Sequence, residues 1–135
     1  MKTIIGEENI KSLLFEFLEE NSWRSFRSIL TGKPLVYYFW EDFAEKFMQT
    51  RVEKKILLQS LRLTEQNFDS KKHKNYVWYL KEIKHIPSNE TIDWGVVFLS
   101  EEKVIVFFTD IMKAEVYEDN KTILNYQIFF QTYWG

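Results

Sequence analysis

Hydrophobic and polar positions follow two periods along this chain, and the change of period divides it. Ile10, Leu13, Leu14, Phe17 and Leu18 fall at the i, i+3, i+4, i+7, i+8 spacing of one helical face, which predicts a helix over about residues 7–20. Glu7 and Glu8 stand in its first turn, where the positive end of the helix dipole favours carboxylates. A second, short helix is expected in "SWRSFRSILTGKP". Ser22 can cap it, Trp23, Phe26 and Leu30 share a face, Gly32 can close it in the left-handed conformation, and Pro34 prevents continuation. "PLVYYFW" reads as a short strand or extended lead-in to a helix that contains "WEDFAEKFM" and runs to about Thr50, with Trp40, Phe43, Phe47 and Met48 at helical spacing. Residues 51–64 fit neither period well. Val52, Ile56 and Leu63 suggest a helical face, Leu57, Leu61 and Leu63 suggest alternation, and the reading leans to strand.

The polar "SKKHKN" is expected to be a loop. Beyond it the pattern turns to strands, at about 76–84, 95–100, 104–109, 113–118 and 122–131. The last has Leu124, Tyr126, Ile128 and Phe130 alternating with Asn125, Gln127 and Phe129, the pattern of a half-buried antiparallel strand. Glu101-Glu102 and Asp119-Asn120 are connections of hairpin length. Within "DWGVVFLSEEKVIVFFTD", Val96, Phe98, Val104, Val106 and Phe108 are assigned to the core. The expected architecture is an α+β single domain over residues 1–135, with N-terminal helices packed on the apolar face of a C-terminal antiparallel β-meander sheet.

Composition sharpens this picture. A chain of 135 residues holds one domain, and 12 Phe, 7 Tyr and 5 Trp supply ample core. Cysteine is absent, which removes disulfides and thiolate metal sites and fits a reducing compartment. The apolar positions of the N-terminus are broken by acidic residues, unlike a signal peptide, and no stretch approaches the roughly 20 apolar residues of a spanning helix. A cytoplasmic protein without a membrane partner is expected. Charge is unevenly spread: residues 1–50 carry a net −2, residues 51–90 a net +4 and residues 91–135 a net −4.

Glycine occurs only at positions 6, 32, 95 and 135, so no phosphate-binding loop, dinucleotide fingerprint or nucleophile elbow can be written. His73 and His85, with Asp69 near the first, lack a short metal-ligand spacing and read as a loop residue and a strand end. Glu41 and Glu45, four apart with Asp42 beside them, read as the acidic face of a helix before they read as an acid–base pair. The run Lys71 to Lys74, followed by Tyr76 and Trp78, has some character of a phosphate contact, yet the overall charge of −2 weighs against nucleic acid as a partner. "NET" at 89–91 and "NKT" at 120–122 match the glycosylation pattern but read as turns at Asn89 and Asn120. No metal and no cofactor is expected.

A single cysteine-free domain with one acidic surface, a twisted sheet and no catalytic signature is similar to small bacterial immunity and inhibitor proteins. That resemblance implies a non-catalytic antitoxin-like module that neutralises a partner protein, such as a basic toxin or nuclease domain, as a monomer or homodimer. The expected contact residues are Asp93, Glu101, Glu102, Asp110, Glu115, Glu118 and Asp119, with Tyr117, Tyr133 and Trp134 as aromatic anchors. A concentrated acidic face would steer encounter with a basic partner and compete with phosphate for it. The alternatives are an apolar small-molecule pocket lined by Trp40, Tyr79, Phe98, Phe108 and Tyr126 with His85 as its titrating group, or a homo-oligomer joined along an aromatic C-terminal edge strand bearing Phe129 and Tyr133.

Overall fold

Every residue of "VVFL", 96–99, and the first four of "VIVFF", 104–107, are buried, so these segments need cover on both faces. The whole fold answers to that need. The structure is a computed structural model, and it describes residues 1–31, 41–64, 80–87 and 95–135. In chain order they form β1 (Lys2–Ile5), α1 (Glu7–Glu20), β2 (Ser25–Leu30), α2 (Glu41–Glu53), β3 (Leu57–Thr64), β4 (Lys81–Pro87), β5 (Val96–Leu99), β6 (Val104–Phe108), β7 (Lys113–Tyr117) and α3 (Asn120–Trp134). The strands make one sheet in the order β1-β7-β6-β5-β2-β3-β4. β2, β3 and β4 are parallel neighbours, and all other pairings are antiparallel.

α1 and α2 cover one face of this sheet. Ile10, Leu13, Leu14, Phe17 and Leu18 of α1 and Phe43 and Phe47 of α2 pack on Phe26, Leu30, Leu58, Val96, Phe98, Ile105, Phe107, Ala114 and Val116. The rings of Phe17 and Phe26 meet edge to face at 5.1 Å, a favourable aromatic geometry. α3 covers the other face, where Ile123 and Phe130 pack on Ile29, Leu61, Val97, Leu99, Val104 and Val106. It starts after β7, the neighbour of edge strand β1, and ends beside the opposite edge strand β4, where Lys84 Nζ donates to the Trp134 carbonyl at 2.6 Å. Midway, Arg27 of β2 donates from Nη1 to Gln127 at 2.8 Å and lies 4.6 Å over the Phe130 ring. Among the described residues no helix is long and apolar enough to cross a membrane.

The α+β class holds, but the arrangement differs from the expected one. Only β5–β6–β7 is the antiparallel meander, and helices lie on both faces rather than one. The helix expected from Ser22 is instead the interior strand β2. Phe26 and Leu30 are four apart, a spacing that suits a helical face and equally one face of a strand. The intervening Ser28 joins them on that face, while Ile29 points into the opposite core. The strand expected over 122–131 is the body of α3, and the hairpin expected at Asp119-Asn120 is that helix's start. Asp119 decides it, because its carboxylate accepts from the Thr122 amide at 3.0 Å and the Thr122 hydroxyl at 2.6 Å. The expected alternation put Leu124 and Ile128 inside, whereas they are 58% and 56% exposed. Val96, Phe98, Val104 and Val106 are buried and Phe108 is partly buried, but Val96 and Phe98 serve one side and Val104, Val106 and Phe108 the other. β1 had no counterpart in the sequence reading, α2 runs to Glu53, and β3 agrees with the lean toward strand. The expectations for Gly32, Pro34, "PLVYYFW", "SKKHKN", Asn89 and 76–79 lie outside the described residues.

Two stability predictions follow from this packing. A Cβ on Gly95 would lie 2.5 Å from both Oγ1 and Cγ2 of Thr109. Gly95→Ala should therefore cost about 1–3 kcal/mol by overpacking, part of it recovered by Thr109→Ala in the same chain, as read by urea unfolding. Hydrogen bonds from Thr122 hold the Asp119 carboxyl below its ordinary pKa. Stability from this cap is then present above the unfolded-state pKa and lost as pH falls through the folded value. Asp119→Ala should lower Tm at pH 7, Asp119→Ser should largely retain it, and the gap between Asp119 and Ala chains should close in acid.

Candidate functional site

One end of the sheet gathers the β5–β6 turn, the C-terminus of α1, the starts of β2 and β3, and the exit from β7. α1 stops at Asn21, whose buried side chain donates from Nδ2 to the Phe17 carbonyl at 2.7 Å. The chain then reverses through Ser22 and Trp23 to enter β2. Trp23 adopts φ +64°, a left-handed conformation that bulky residues rarely take. Its amide donates to the Lys54 carbonyl at 2.9 Å, and the next amide, of Arg24, donates to the Asn21 carbonyl at 2.9 Å. These two bonds fix the turn while the indole stands 77% exposed. Leu57, paired with Ser25 at the start of β3, is a second exposed apolar residue at this end.

Beside this turn, residues 100–103 close the β5–β6 hairpin, as expected for Glu101-Glu102. The Ser100 amide donates to the Lys103 carbonyl at 2.9 Å, and the Ser100 hydroxyl accepts from the Lys103 amide at 3.1 Å. Glu101 and Glu102 are left exposed. With Glu20, Asn21, Arg24, Ser25 and Ser100 they line a polar cleft of about 290 Å³. Ion pairs cross it: Arg24 to Glu102 at 3.4 Å and Lys103 to Glu20 at 2.9 Å, with Lys54 to Glu19 alongside. The Arg24–Glu102 pair is exposed on both sides and worth roughly 0–1 kcal/mol, so a partner's cation can replace Arg24 there at small cost. Val104 pairs with Tyr117, which brings the exposed Glu118 and Asp119 to the same end.

The expected contact residues are thus only partly brought together. Glu101, Glu102, Glu118 and Asp119 share this end, with Asp119 engaged in capping α3. Asp110 is exposed in the turn at the opposite end of β6. Glu115 and Tyr117 lie on the α3 side of β7, where the Tyr117 hydroxyl donates to Glu115 at 3.2 Å and Lys113 pairs with Glu115 at 3.6 Å. Burial and then the Glu115 charge raise the pKa of Tyr117, and the same two causes raise that of Tyr126. Tyr133 and Trp134 pack against the α3-side core, Trp134 stacked on Phe130 at 5.2 Å, so they dock the helix. Asp93 lies outside the described residues.

The alternatives fare differently. Phe98 and Phe108 belong to opposite faces of the sheet, so with Tyr126 on the α3 side they do not line one cavity. Trp40 and Tyr79 lie outside the described residues. The aromatic edge strand bearing Phe129 and Tyr133 is a helix across the sheet. Asp42 and Glu45 are exposed on α2, as an acidic helix face requires. His73, Asp69 and the Lys71 to Lys74 run lie outside the described residues, and among those described no group of three His, Cys, Asp or Glu side chains could hold a metal.

A second polar cluster had no sequence signal beyond the excess positive charge of residues 51–90. On the α2 side of the parallel strands, Arg51 and Arg62 are 2% and 5% exposed and Lys81 is partly buried. Burial lowers the pKa of Arg51 to about 10, which leaves it charged at neutral pH. Burial, then the charges of Arg62 and Arg51, lower the Lys81 amine to about 7. Between about pH 7 and the unfolded value of 10.5 the folded chain therefore binds fewer protons at Lys81 than the unfolded chain, so stability should rise with pH there. Urea unfolding of Lys81→Met should show that rise reduced, with the variant's relative advantage greatest below pH 7. Comparison of the chain with protein-family models, with curated proteins and with solved structures finds no match.

Proposed function

We propose that this chain is a non-catalytic protein-binding module that neutralises a basic partner protein, in the manner of a small immunity or inhibitor protein. Its contact face is the end of the sheet that carries the exposed Trp23 turn and, on the β5–β6 turn and just after β7, the exposed Glu101, Glu102 and Glu118. The observation that carries this reading is Trp23 itself, 77% exposed on a turn of φ +64°. A left-handed conformation costs a non-glycine residue roughly 1–2 kcal/mol, and an exposed indole does not repay that within its own fold. Strain of this kind is characteristic of functional positions.

The surroundings suit such an anchor. Tryptophan is among the residues most enriched at binding hot spots, where a ring of polar residues excludes water around it. Here the Trp23 amide donates to the Lys54 carbonyl, and carboxylates from α1, the β5–β6 turn and the end of β7 share the same end of the sheet. Exposed carboxylates accelerate encounter with a basic partner, and their weak internal pairs leave them open to exchange.

Native mass spectrometry of the tagged chain drawn from its host's lysate tests the proposal. The expected result is a stoichiometric basic protein that is lost from Trp23→Gly and from the triple variant Glu101→Lys, Glu102→Lys, Glu118→Lys. Trp23→Gly should hold or raise Tm, since glycine relieves the left-handed strain. A partner retained by both variants would remove this face from consideration, and a chain that never carries a protein partner would overturn the reading.

A further inference from the structure

The cleft beside the Trp23 turn is lined both by exposed carboxylates and by a buried amide. Asn21 is 5% exposed and sits where α1 ends. Its Nδ2 is engaged with the Phe17 carbonyl at 2.7 Å. Oδ1, on the other arm of the same planar amide, accepts no hydrogen bond from the described residues, although a polar atom of so enclosed a side chain ordinarily has a partner. Glu20 is paired with Lys103 at 2.9 Å and Glu102 with Arg24 at 3.4 Å. Glu101 is exposed and makes no ion pair among the described residues. These five side chains set three carboxylates against two cations, so one negative charge at the cleft stays unanswered.

An unanswered negative charge around an unused acceptor calls for one monocation rich in donors. Among the described residues no group of three His, Cys, Asp or Glu side chains could hold a metal, so the cation must bring its own hydrogen bonds. The acceptors come from two elements, the Asn21 amide from the end of α1 and Glu101 and Glu102 from the β5–β6 turn. An ammonium is a compact point charge, whereas a guanidinium carries five N–H donors in a rigid plane and can serve separate acceptors together. We propose that this cleft is a socket for one arginine side chain of the partner protein, its guanidinium donating to Asn21 Oδ1 and to the carboxylates of Glu101 and Glu102. The volume agrees, because about 290 Å³ lies at the foot of the range for small-molecule pockets and suits a single side chain. Entry displaces Arg24 from Glu102, which exchanges one exposed cation for another across a weak bond. Asn21 then determines specificity, since the carboxylates attract any cation while the enclosed amide oxygen rewards only a donor that reaches it. The inference rests on the reading of the Trp23 end as a partner-binding face, because Trp23 lies between Asn21 and Arg24 in the chain.

Small probes separate the socket from the face around it. The full 15N-labelled chain is titrated with acetyl-arginine methylamide, with the lysine and citrulline counterparts and with free arginine, while the Asn21 side-chain signals and the Glu101 and Glu102 amides are followed. The expected result is a saturable shift at all three residues with the arginine probe, binding about tenfold weaker for the lysine probe, as one lost charge-assisted hydrogen bond implies, and no response to neutral citrulline. Glu101→Gln with Glu102→Gln changes only exposed positions and should weaken the arginine probe by about tenfold or more. Trp23→Gly should bind the probe as the parent chain does. Equal binding of the citrulline or lysine probe would overturn the proposal, as would shifts that leave Asn21 unmoved. Tighter binding of free arginine than of the blocked probe would also overturn it, since the ligand would then be the amino acid and not a side chain. A saturable arginine response in a chain that captures no protein from lysate would keep the socket and remove the face. A captured partner with no arginine response would keep the face and remove the socket.

Discussion

The burial of β5 and β6 on both faces is the constraint from which the rest of the structure follows. Val96 to Leu99 and Val104 to Phe107 have no polar side, so neither face of the central sheet can be left to water. α1 and α2 enclose one face, and the last segment of the chain must enclose the other. A further strand at the edge would have left Ile29, Leu61, Val97, Leu99, Val104 and Val106 uncovered. A helix laid across the sheet reaches all of them. The aromatic richness of residues 126–134 supplies the area that such a single helix needs.

Polar contacts then orient what the apolar area holds. Arg27 reaches out of β2 to Gln127, Gln127 reaches the Ser100 carbonyl at 3.4 Å, and Lys84 ties down the end of α3. Each of these links α3 to a different strand, so the helix cannot slide along the sheet without breaking several at once. The same economy marks Arg51, whose guanidinium satisfies two carbonyls where β3 and β4 begin. Buried cations used in this way supply directionality that apolar packing lacks, at the cost of desolvation.

Four non-glycine residues among those described, Trp23, Lys55, Leu80 and Met112, take positive φ, and the cluster of Arg51, Arg62 and Lys81 adds an electrostatic cost. At Trp23 the cost is conformational, an exposed ring on a left-handed residue. At Lys81 it is electrostatic, an amine brought beside two buried guanidinium groups. The Trp23 amide bonds to Lys54 and the Leu58 amide to Leu80, so the two stand at the same end of the sheet.

Local pattern alone was decisive for α1 and most of α2 by their helical period and for β5, β6 and β7 by short apolar or alternating runs flanking the turn at Glu101-Glu102, all legible in the chain. It was ambiguous wherever a segment satisfied two periods at once, as Phe26 and Leu30 do in β2 and the aromatic run does in α3. The unbroken apolar runs of β5 and β6 did carry the news that the sheet is covered on both sides, because alternation is absent from them. The exposure of Trp23 and the gathering of Arg51, Arg62 and Lys81 had no such local sign. They arise from strand register and from a reversal between α1 and β2, which join residues distant in the chain. Amino-acid order therefore determined the class of fold, the main hydrophobic elements and the lack of cysteine chemistry. Tertiary structure decided the strand order, the conversion of the last segment into a helix, the exposure of Trp23 and the gathering of Arg51, Arg62 and Lys81, because contacts between distant residues outweigh the weak preferences of each short stretch.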